Sequence, residues 1–209
     1  MPAASLLPTT IHKGKLYFLM GKENPMEDSA KGFSDFGGGK EDRSFYETAL
    51  REAAEELTGF LGAPKKLGAF VRKNGGTYTF RYQPNTDKEY RMHLFYLDYD
   101  PHLVEHFNNN HRYLWERMDK KMLNDSKLFE KIEIRWICET ELMKHKSIYR
   151  PFFVDILKQM MGELEPIRAF IAKQHKKHQG ACVCGRRRRN TRKQIHNKRR
   201  NTKTLKRGG

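Results

Sequence analysis

The sequence predicts a single α/β domain followed by a disordered basic tail. Short apolar runs, rich in aromatic and aliphatic residues, have the length of strands and recur along the chain. Between them, apolar residues at helical spacing follow a capping signature and indicate an amphipathic helix. Basic residues accumulate near the C-terminal end without acidic partners. Strands interspersed with helices are typical of α/β domains, and a long cationic segment is typical of a tail outside one.

The charge distribution sets the predicted domain boundary. The chain has 209 residues, with 41 Lys and Arg against 25 Asp and Glu. Residues 173–209 contain 15 of the basic residues and no acidic one, so residues 1–172 are close to neutral. A chain of about 170 residues is long enough for one domain with a buried core. We therefore predict a domain over residues 1–172 and a Lys/Arg-rich tail over 173–209 that is disordered when unbound.

Composition also bears on the compartment of the protein. No run approaches the roughly 18–20 apolar residues of a membrane helix, so we expect no membrane span. The first residues lack a charged segment followed by a long apolar stretch, so we expect no secretory signal. Three cysteines are too few and too odd in number for a disulfide framework. These features predict an intracellular protein, either cytoplasmic or nuclear.

The remaining elements follow from apolar spacing and turn residues. The three consecutive glycines at 37–39 are predicted to form a loop, because glycine is costly inside a regular element. Residues 101–128 are predicted to be helical, and residues 151–171 to form a helix broken at Pro166. The predicted strands are residues 16–20, 67–71, 77–82, 90–99 and 131–137.

The best-defined element is a helix that begins after Ser44. Ser44 and Glu47 form the Ser-x-x-Glu pattern of a capping box, and Thr58 and Gly59 supply the helix end. The predicted core-facing stripe consists of Tyr46, Ala49, Leu50, Ala53 and Leu57.

Three carboxylates lie beside this apolar stripe. At about 100° per residue, Glu52, Glu55 and Glu56 fall within an arc of about 100°. Like charges at this spacing destabilise a helix by roughly 0.2–0.5 kcal/mol per pair, and a divalent cation reverses that effect. Carboxylates together with phosphate oxygens suit Mg²⁺ or Mn²⁺. Arg51 is spaced to pair with Glu55 four residues later, and the glycines at 37–39 allow backbone to approach a phosphate or a metal.

These residues resemble a known family. Gly-Gly-Gly followed by Arg-Glu-Ala-Ala-Glu-Glu and a nearby glycine resembles the signature box of the Nudix hydrolases. The resemblance implies an α/β/α sandwich with a mixed sheet, and Mg²⁺- or Mn²⁺-dependent hydrolysis of a nucleoside diphosphate linked to another group. It implies that Glu52, Glu55, Glu56 and the backbone of Gly38 hold the metal, and that Arg51 orients the glutamates. Gly37 and Gly39 would then lie against the substrate.

A later segment extends the resemblance and one position departs from it. Residues 130–136, followed by Glu141 and Leu142, resemble the acidic strand that ends in Trp in this family. The resemblance implies that Glu130 or Glu133 is an additional metal ligand or a base, although an alternating strand exposes such residues anyway. The family usually has a glutamate eight residues before the arginine, where this chain has Arg43.

Candidate substrate-binding residues are basic. Arg81 and Arg91 are candidates for contacts with substrate phosphates, and the run Arg186, Arg187, Arg188 and Arg189 is predicted to bind RNA or another polyanion. A phosphoanhydride substrate and a nucleic-acid-binding tail together favour capped RNA. Nucleoside triphosphates, dinucleoside polyphosphates and diphosphoinositol polyphosphates remain open.

Two functional hypotheses follow from these motifs. In the first, the chain is a Nudix-type enzyme in which Glu52, Glu55, Arg51 and Glu133 take part in catalysis. In the second, it is a Nudix-like scaffold with weakened chemistry that binds nucleic acid through its tail. The missing glutamate at Arg43 favours the scaffold, whereas the intact glutamate trio favours the enzyme.

Overall fold

The structure is a computed structural model that describes residues 1–25, 31–84, 88–126 and 129–178. Its centre is a mixed seven-stranded sheet. The strands are β1 (Ala3–His12), β2 (Lys15–Glu23), β3 (Phe33–Ser34), β4 (Phe36–Gly39), β5 (Thr77–Tyr82), β6 (Tyr90–Tyr96) and β7 (Lys131–Cys138). The helices are α1 (Phe45–Glu56), α2 (Pro64–Lys73), α3 (Pro101–Trp115), α4 (Lys120–Ser126), α5 (Pro151–Met160) and α6, which is described over residues 164–178.

Strand β1 organises the sheet. Along one edge it pairs in parallel with β6, and β6 pairs with β5 in an antiparallel arrangement. Along its other edge, the first half of β1 pairs with β4 and the second half with β2, both antiparallel. Strand β2 in turn pairs with β3 and β7. This arrangement places the glycines of β4 beside the first half of β1.

Helices cover both faces of the sheet. Side chains alternate along a strand, so neighbouring residues such as Leu6 and Leu7 of β1 enter different cores. Leu6 packs in a core formed with α1, α2 and α3, whereas Leu7 packs in a core formed with α5 and α6. The predicted α/β/α sandwich with a mixed sheet is therefore confirmed.

The predicted strand at 67–71 is wrong, because these residues lie in α2. Pro64 occupies the first turn of this helix, where its fixed φ and missing N–H are tolerated. Leu67 and Val71 are four residues apart and fully buried, which is the spacing of a helix face. A short apolar run does not by itself distinguish a strand from a buried helical stripe.

The predicted loop at 37–39 is also wrong, because these glycines belong to β4 and pair with residues 3–5 of β1. A Cβ on Gly37 would overlap the backbone of Ala4 and Ser5. Glycine is required here for close contact between two strands, and this requirement outweighs its low strand propensity.

The C-terminal helices differ from the prediction in two details. The break occurs at a 3₁₀ turn over Met161–Glu163, so Pro166 lies in the first turn of α6, where proline is tolerated. The predicted tail begins at 173, but residues 173–178 continue α6, and Gln174 is buried. The rest of the predicted tail, residues 179–209, lies outside the described residues. Within the described ranges, no helix is long and apolar enough to cross a membrane.

Candidate active site

Helix α1 positions the acidic residues, and its start is fixed by the predicted capping box. The Ser44 hydroxyl accepts a hydrogen bond from the Glu47 backbone N–H, and the Glu47 carboxylate accepts one from the Ser44 N–H, each at 3.1 Å. The predicted stripe packs into the core, with Ala49, Ala53 and Leu57 fully buried. This anchoring fixes the rotation of α1 and therefore the directions in which its glutamates point.

Glu52 lies directly against the glycine strand. A Cβ added to Gly38 would stand 2.6 Å from the Glu52 carboxylate, so only glycine permits this approach. The Glu52 side chain is 14% exposed, and Arg51 pairs with it at 2.8 Å. Burial raises the pKa of Glu52; Arg51 opposes the shift, while Glu55 and Glu130 add to it. Glu52 is thus a partly desolvated carboxylate with other acids close by.

Arg51 lies within ion-pair distance of four carboxylates, those of Glu41, Asp42, Glu52 and Glu55. Its guanidinium lies 3.1 Å from Glu55, which is the predicted contact, and 2.8 Å from Glu52. Its Nε also donates to Asp42 at 3.0 Å. Burial opposes the charged guanidinium, but the bond with Asp42 and the charge of Glu52 outweigh it and raise the pKa of Arg51. Arg51 is therefore fully charged and holds Glu52 and Glu55 in fixed positions. Asp42 lies next to Arg43, which stands where the family that the sequence resembles usually has a glutamate.

Glu56 does not face solvent with the other two glutamates. It is 4% exposed, and its Oε1 lies 3.3 Å from the Lys131 ammonium. Its other oxygen, Oε2, is buried and has no hydrogen-bond partner among the described residues. Burial raises the pKa of Glu56 well above its ordinary value, Lys131 counteracts this, and Glu23 and Glu130 add to it. One oxygen of Glu56 is thus paired and the other remains available.

Lys131 is the centre of a buried ionic network that the sequence did not predict. Its ammonium donates to Glu23 and, at 2.9 Å, to the Ser34 hydroxyl, in addition to its contact with Glu56. Arg150 joins the network through Glu23 at 2.7 Å. Burial opposes the charge on Lys131, but the neighbouring carboxylates, Glu56 first, outweigh it and raise the pKa of Lys131. In the sequence, Lys131 is only the first residue of a predicted strand, where a lysine is normally solvated.

A further buried carboxylate, that of Asp35, lies between β3 and β4. The Ser5 hydroxyl donates to it, and the Tyr90 hydroxyl lies 2.8 Å from both of its oxygens. Burial raises the pKa of Asp35, and the bonds from Ser5 and Tyr90 oppose the shift. Asp35 therefore fixes the chain just before the glycines, a role that no local sequence signal indicates.

The two late glutamates occupy different environments. Glu130 lies close enough to Glu52 and Glu56 to raise the pKa of both. Glu133 is opposite Lys22 in the strand register and pairs with it at 3.8 Å, and it also pairs with Arg135 at 2.6 Å. The structure thus brings Glu130 to the acidic helix, and the catalytic role predicted for Glu133 stays a prediction.

The two candidate arginines lie in one row with Gly38. Across the paired strands, Gly38 is opposite Ala4, Ala4 is opposite Arg91, and Arg91 is opposite Arg81. Residues in register share a face of the sheet, and Ala4 packs in the core of α1, so this row lies on the α1 side. Arg91 lies 3.9 Å from the centre of the Phe45 ring at the start of α1. The tail arginines 186–189 lie outside the described residues.

The arrangement fits a divalent cation only in part. Within the described ranges, no group of three His, Cys, Asp or Glu side chains converges on one point. Glu52 and Glu56, however, are four residues apart on one helix face, and Glu56 Oε2 is buried with no hydrogen-bond partner in the described part of the chain. Mg²⁺ is commonly held by one or two carboxylates, with water and substrate phosphate in the other positions. Glu52 and Glu56 therefore fit such an ion, with Glu130 nearby.

Fold and site together define an α/β/α domain in which an acidic helix is set against a glycine strand. No protein-family model and no curated protein matches the sequence. Solved structures similar to this chain include RenU, a Nudix hydrolase from M. smegmatis. RenU is 13% identical to this chain with a TM-score of 0.47, and the alignment covers 80% of this chain and 88% of RenU. A C. elegans Ap4A hydrolase is 17% identical with a TM-score of 0.40, covering 82% of this chain and 98% of the hydrolase.

A further similar structure is the Nudix domain of Shewanella oneidensis NrtR in complex with ADP ribose. It is 11% identical with a TM-score of 0.40, covering 78% of this chain and 88% of that domain. The Nudix family, which the sequence resembles, is thus also the family named for solved structures similar to this chain. At these identities and TM-scores, the similarities give neither a substrate nor an activity for it.

Proposed function

We propose that this chain is a Nudix-type hydrolase that cleaves a phosphoanhydride bond with the help of Mg²⁺ or Mn²⁺. The observation that carries the proposal is the desolvated Glu52 carboxylate, held against Gly38 by Arg51, with Glu56 and Glu130 close by. Acidic groups gathered in a partly buried place repel one another, and a cation together with a phosphate substrate relieves that repulsion. A role in stability alone would not explain why Glu56 Oε2 has no hydrogen-bond partner among the residues that the structure describes.

Each residue has a proposed role. Glu52 and Glu56 would hold the ion with the help of Glu130 and the Gly38 backbone, and the ion would neutralise charge on the phosphate oxygens. Glu55 is assigned the role of accepting a proton from the attacking water; its 59% exposure and its pairing with Arg51 support this assignment. The water oxygen forms a bond to phosphorus while the bridging P–O bond breaks, and the leaving phosphate takes the electron pair.

The proposed substrate is a nucleoside diphosphate linked to another group, with capped RNA as the preferred case. Arg81 and Arg91 supply positive charge in the row that contains Gly38. Residues 179–209 are strongly basic and provide the sequence-independent attraction that RNA binding requires. Nucleoside triphosphates, dinucleoside polyphosphates and diphosphoinositol polyphosphates are the competing substrates.

The test compares wild type with Glu52→Gln in Mg²⁺ and in Mn²⁺ on a panel of these four substrate classes. We expect product from at least one class and a loss of about 100-fold or more in Glu52→Gln, because electrostatic groups at a reacting centre have effects of that size. Glu165→Gln, at an 85% exposed position, is the matched control and should retain full activity. Equal rates for wild type and Glu52→Gln would show that the catalytic assignment is wrong.

A second candidate function is a nucleic-acid-binding scaffold without turnover. It is favoured by the Lys131 ammonium, which already neutralises one oxygen of Glu56. If the chain is such a scaffold, Mn²⁺ should change the melting temperature of wild type and of Glu56→Gln equally. The scaffold should also bind RNA without releasing product. A metal-dependent rise that requires both Glu52 and Glu56 would instead support the hydrolase.

A further inference from the structure

A cluster of four aromatic rings lies at the end of the sheet where the β1–β2 hairpin turns. Its members are His12, Tyr17, Tyr99 and Trp136. The His12 ring is stacked on Tyr99, with 3.9 Å between ring centres and 15° between planes, and Tyr99 lies 5.6 Å from Trp136. The indole N–H of Trp136 donates to the Asp100 carbonyl at 3.2 Å, which fixes the position of its ring. All four residues are partly exposed, so this aromatic cluster lies at the surface, within reach of a ligand.

The strand register shows on which side of the sheet the aromatic cluster lies. Lys15, Tyr17 and Leu19 alternate along β2, so their side chains share one face of the sheet. Leu19 packs in the core formed with α1, which identifies the face. His12 is opposite Lys15 and Trp136 is opposite Leu19, so both lie on that face as well. The aromatic cluster and the acidic helix are therefore on the same side of the sheet.

A cavity with basic residues in its wall adjoins the aromatic cluster. It has a volume of about 460 Å³, and Tyr17 and Trp136 form part of its wall. Lys15, Arg135 and His145 line the same cavity. Within the described ranges β7 pairs with β2 alone, and Arg135 and Trp136 point to opposite faces because they are neighbours in the strand. The cavity therefore follows the outer edge of β7 and connects the aromatic cluster with positive charge.

The two lysines of the hairpin are exposed and have no ion-pair partner. Lys13 and Gly14 form the two-residue turn between the strands, with φ of 50° and 77°, so Lys13 stands at its tip. Among the residues that the structure describes, no carboxylate lies at salt-bridge distance from Lys13 or Lys15. Their positive charge is therefore available to an anion.

The acidic groups nearby are already engaged. Glu141, which also lines the cavity, pairs with Lys144 at 3.1 Å. The Asp100 carboxylate caps the start of α3, where the helix dipole offsets its charge. Asp98 accepts a hydrogen bond from the hydroxyl of Tyr96, whose ring packs in the other core, on the α6 side. The uncompensated charge beside the aromatic cluster is therefore positive.

We propose that the aromatic cluster and the basic residues beside it form a binding surface for a single-stranded polynucleotide. The bases would stack on the exposed rings, and the phosphates would lie along Lys13, Lys15 and Arg135. Aromatic rings beside a positively charged groove are the combination with which proteins bind single strands, because every base has a ring face that can stack. RNA and DNA share this chemistry, so the test includes both. The surface is separate from the basic segment 179–209.

Strand β7 connects this surface to the acidic helix. Trp136 lies six residues after Glu130, a distance of roughly 20 Å at about 3.3 Å per residue. A strand that begins at the acidic helix can therefore extend along β7 onto the aromatic cluster. Binding at this surface does not require hydrolysis, but its bearing on the substrate rests on the proposed function, in which it favours RNA over nucleotides and inositol polyphosphates.

The first experiment tests stacking in the full chain. Fluorescence anisotropy measures the binding of oligo(U) and oligo(dT) of about 12 nucleotides, a length within the usual range of single-strand sites. Tyr99→Leu should weaken binding about fivefold or more, which is the contribution of one stacked base. Tyr113→Leu, at a 56% exposed position on α3, is the matched control and should bind like wild type. Inorganic polyphosphate, which has charge but no base, should bind equally to all three proteins.

The results with the two oligonucleotides identify the ligand. A loss confined to oligo(U) identifies RNA, and a loss with both identifies single strands in general. If Tyr99→Leu is folded by circular dichroism and binds both oligonucleotides as tightly as Tyr113→Leu, the proposal is overturned.

The second experiment tests the phosphate contacts and does not depend on Tyr99. The double variant Lys13→Gln/Lys15→Gln changes two exposed side chains of the hairpin. The slope of log affinity against log salt concentration should become shallower by about 1.4, because each phosphate contact of a single strand contributes about 0.7. Lys65→Gln/Lys66→Gln, at exposed positions in the first turn of α2, removes the same charge elsewhere and should leave the slope unchanged. Equal slopes for the two double variants would refute the surface.

The outcomes separate this inference from the proposed function. If the chain hydrolyses capped RNA, Tyr99→Leu should raise KM for capped RNA without changing kcat, and should leave both constants unchanged for a mononucleotide. If Glu52→Gln abolishes hydrolysis but neither Tyr99→Leu nor Lys13→Gln/Lys15→Gln affects binding, the hydrolase stands and the surface is refuted. If both variants weaken binding and no substrate is hydrolysed, the surface stands and the hydrolase is refuted.

Discussion

Substitution of Lys131 by methionine tests the buried network beneath the acidic helix. Lys131 is 0% exposed, and its ammonium neutralises Glu23 and Glu56, which are 5% and 4% exposed as side chains. Methionine has a similar length and preserves much of the packing against Gly21, where the lysine stem lies. The substitution therefore removes the charge and leaves two buried carboxylates without it. Removing one partner of a buried ion pair in this way should lower the free energy of unfolding by roughly 3–5 kcal/mol.

The stability loss should depend on pH. The pKa of Glu56 is raised by burial in the folded protein, and Lys131 counteracts that shift. A carboxyl group whose pKa is higher in the folded protein than in the unfolded protein binds its proton more tightly in the folded protein. Such a group therefore lowers the free energy of unfolding as the pH rises above its pKa in the unfolded protein, which is about 4.3. Removing Lys131 raises the folded pKa of Glu56 further. The difference in the free energy of unfolding between wild type and Lys131→Met should consequently be smaller at pH 5 than at pH 7.5.

The assay is urea unfolding followed by circular dichroism at both pH values. Lys158→Met is the control: Lys158 is 53% exposed and pairs with Asp155 at 2.7 Å, so its loss should cost at most about 1 kcal/mol. The double variant Lys131→Met/Glu56→Gln removes one stranded charge and should be more stable than Lys131→Met at pH 7.5. A cost below about 1 kcal/mol for Lys131→Met, or the same cost at both pH values, would refute the ionic network as described.

Three further predictions use matched substitutions or truncations. Gly38→Ala places a Cβ 2.6 Å from the Glu52 carboxylate and should weaken Mn²⁺ binding and hydrolysis. Gly39→Ala is the control and should change neither, because the nearest atom to its Cβ is the flexible end of Met1 at 3.1 Å. Calorimetric titration with Mn²⁺ distinguishes the two variants. Ser44→Ala removes the capping box and should lower the free energy of unfolding by about 0.5–2 kcal/mol in urea, and an unchanged value would contradict the cap. Deleting residues 179–209 should leave the melting temperature unchanged but reduce RNA affinity most strongly at low salt; an unchanged salt dependence would remove the tail from RNA binding.

The sequence predicted the acidic helix well because its signals are local. Ser44 and Glu47 lie three residues apart, Arg51 and Glu55 four, and both contacts are present in the structure. Helical periodicity and capping act over one or two turns, so they can be read without knowledge of the fold. The same holds for β5, whose predicted bounds of 77–82 match the structure.

Features that depend on distant parts of the chain could not be predicted. Lys131 meets Glu23 across a separation of 108 residues, and neither residue type indicates burial. Strand β1 was not predicted either, since its Pro8 is unusual for a strand at the centre of a sheet. Residues 37–39 likewise form a strand because they pair with β1, and Glu52 packs against Gly38; neither contact can be read from the local sequence.

The buried network also explains how an acidic site can be built into a stable fold. Three carboxylates, those of Glu23, Asp35 and Glu56, are at least nine-tenths buried near the acidic helix, and Lys131 and Arg150 are the cations that the structure places among them. Unpaired, these carboxylates would be strongly unfavourable in the interior. Because the Lys131 ammonium is part of the chain and the neighbouring carboxylates raise its pKa, it partly neutralises Glu23 and Glu56 without a bound ion. A metal of the kind proposed would then have to offset only the charge of Glu52, which Arg51 partly neutralises, and that of Glu56 Oε2, which has no hydrogen-bond partner among the described residues.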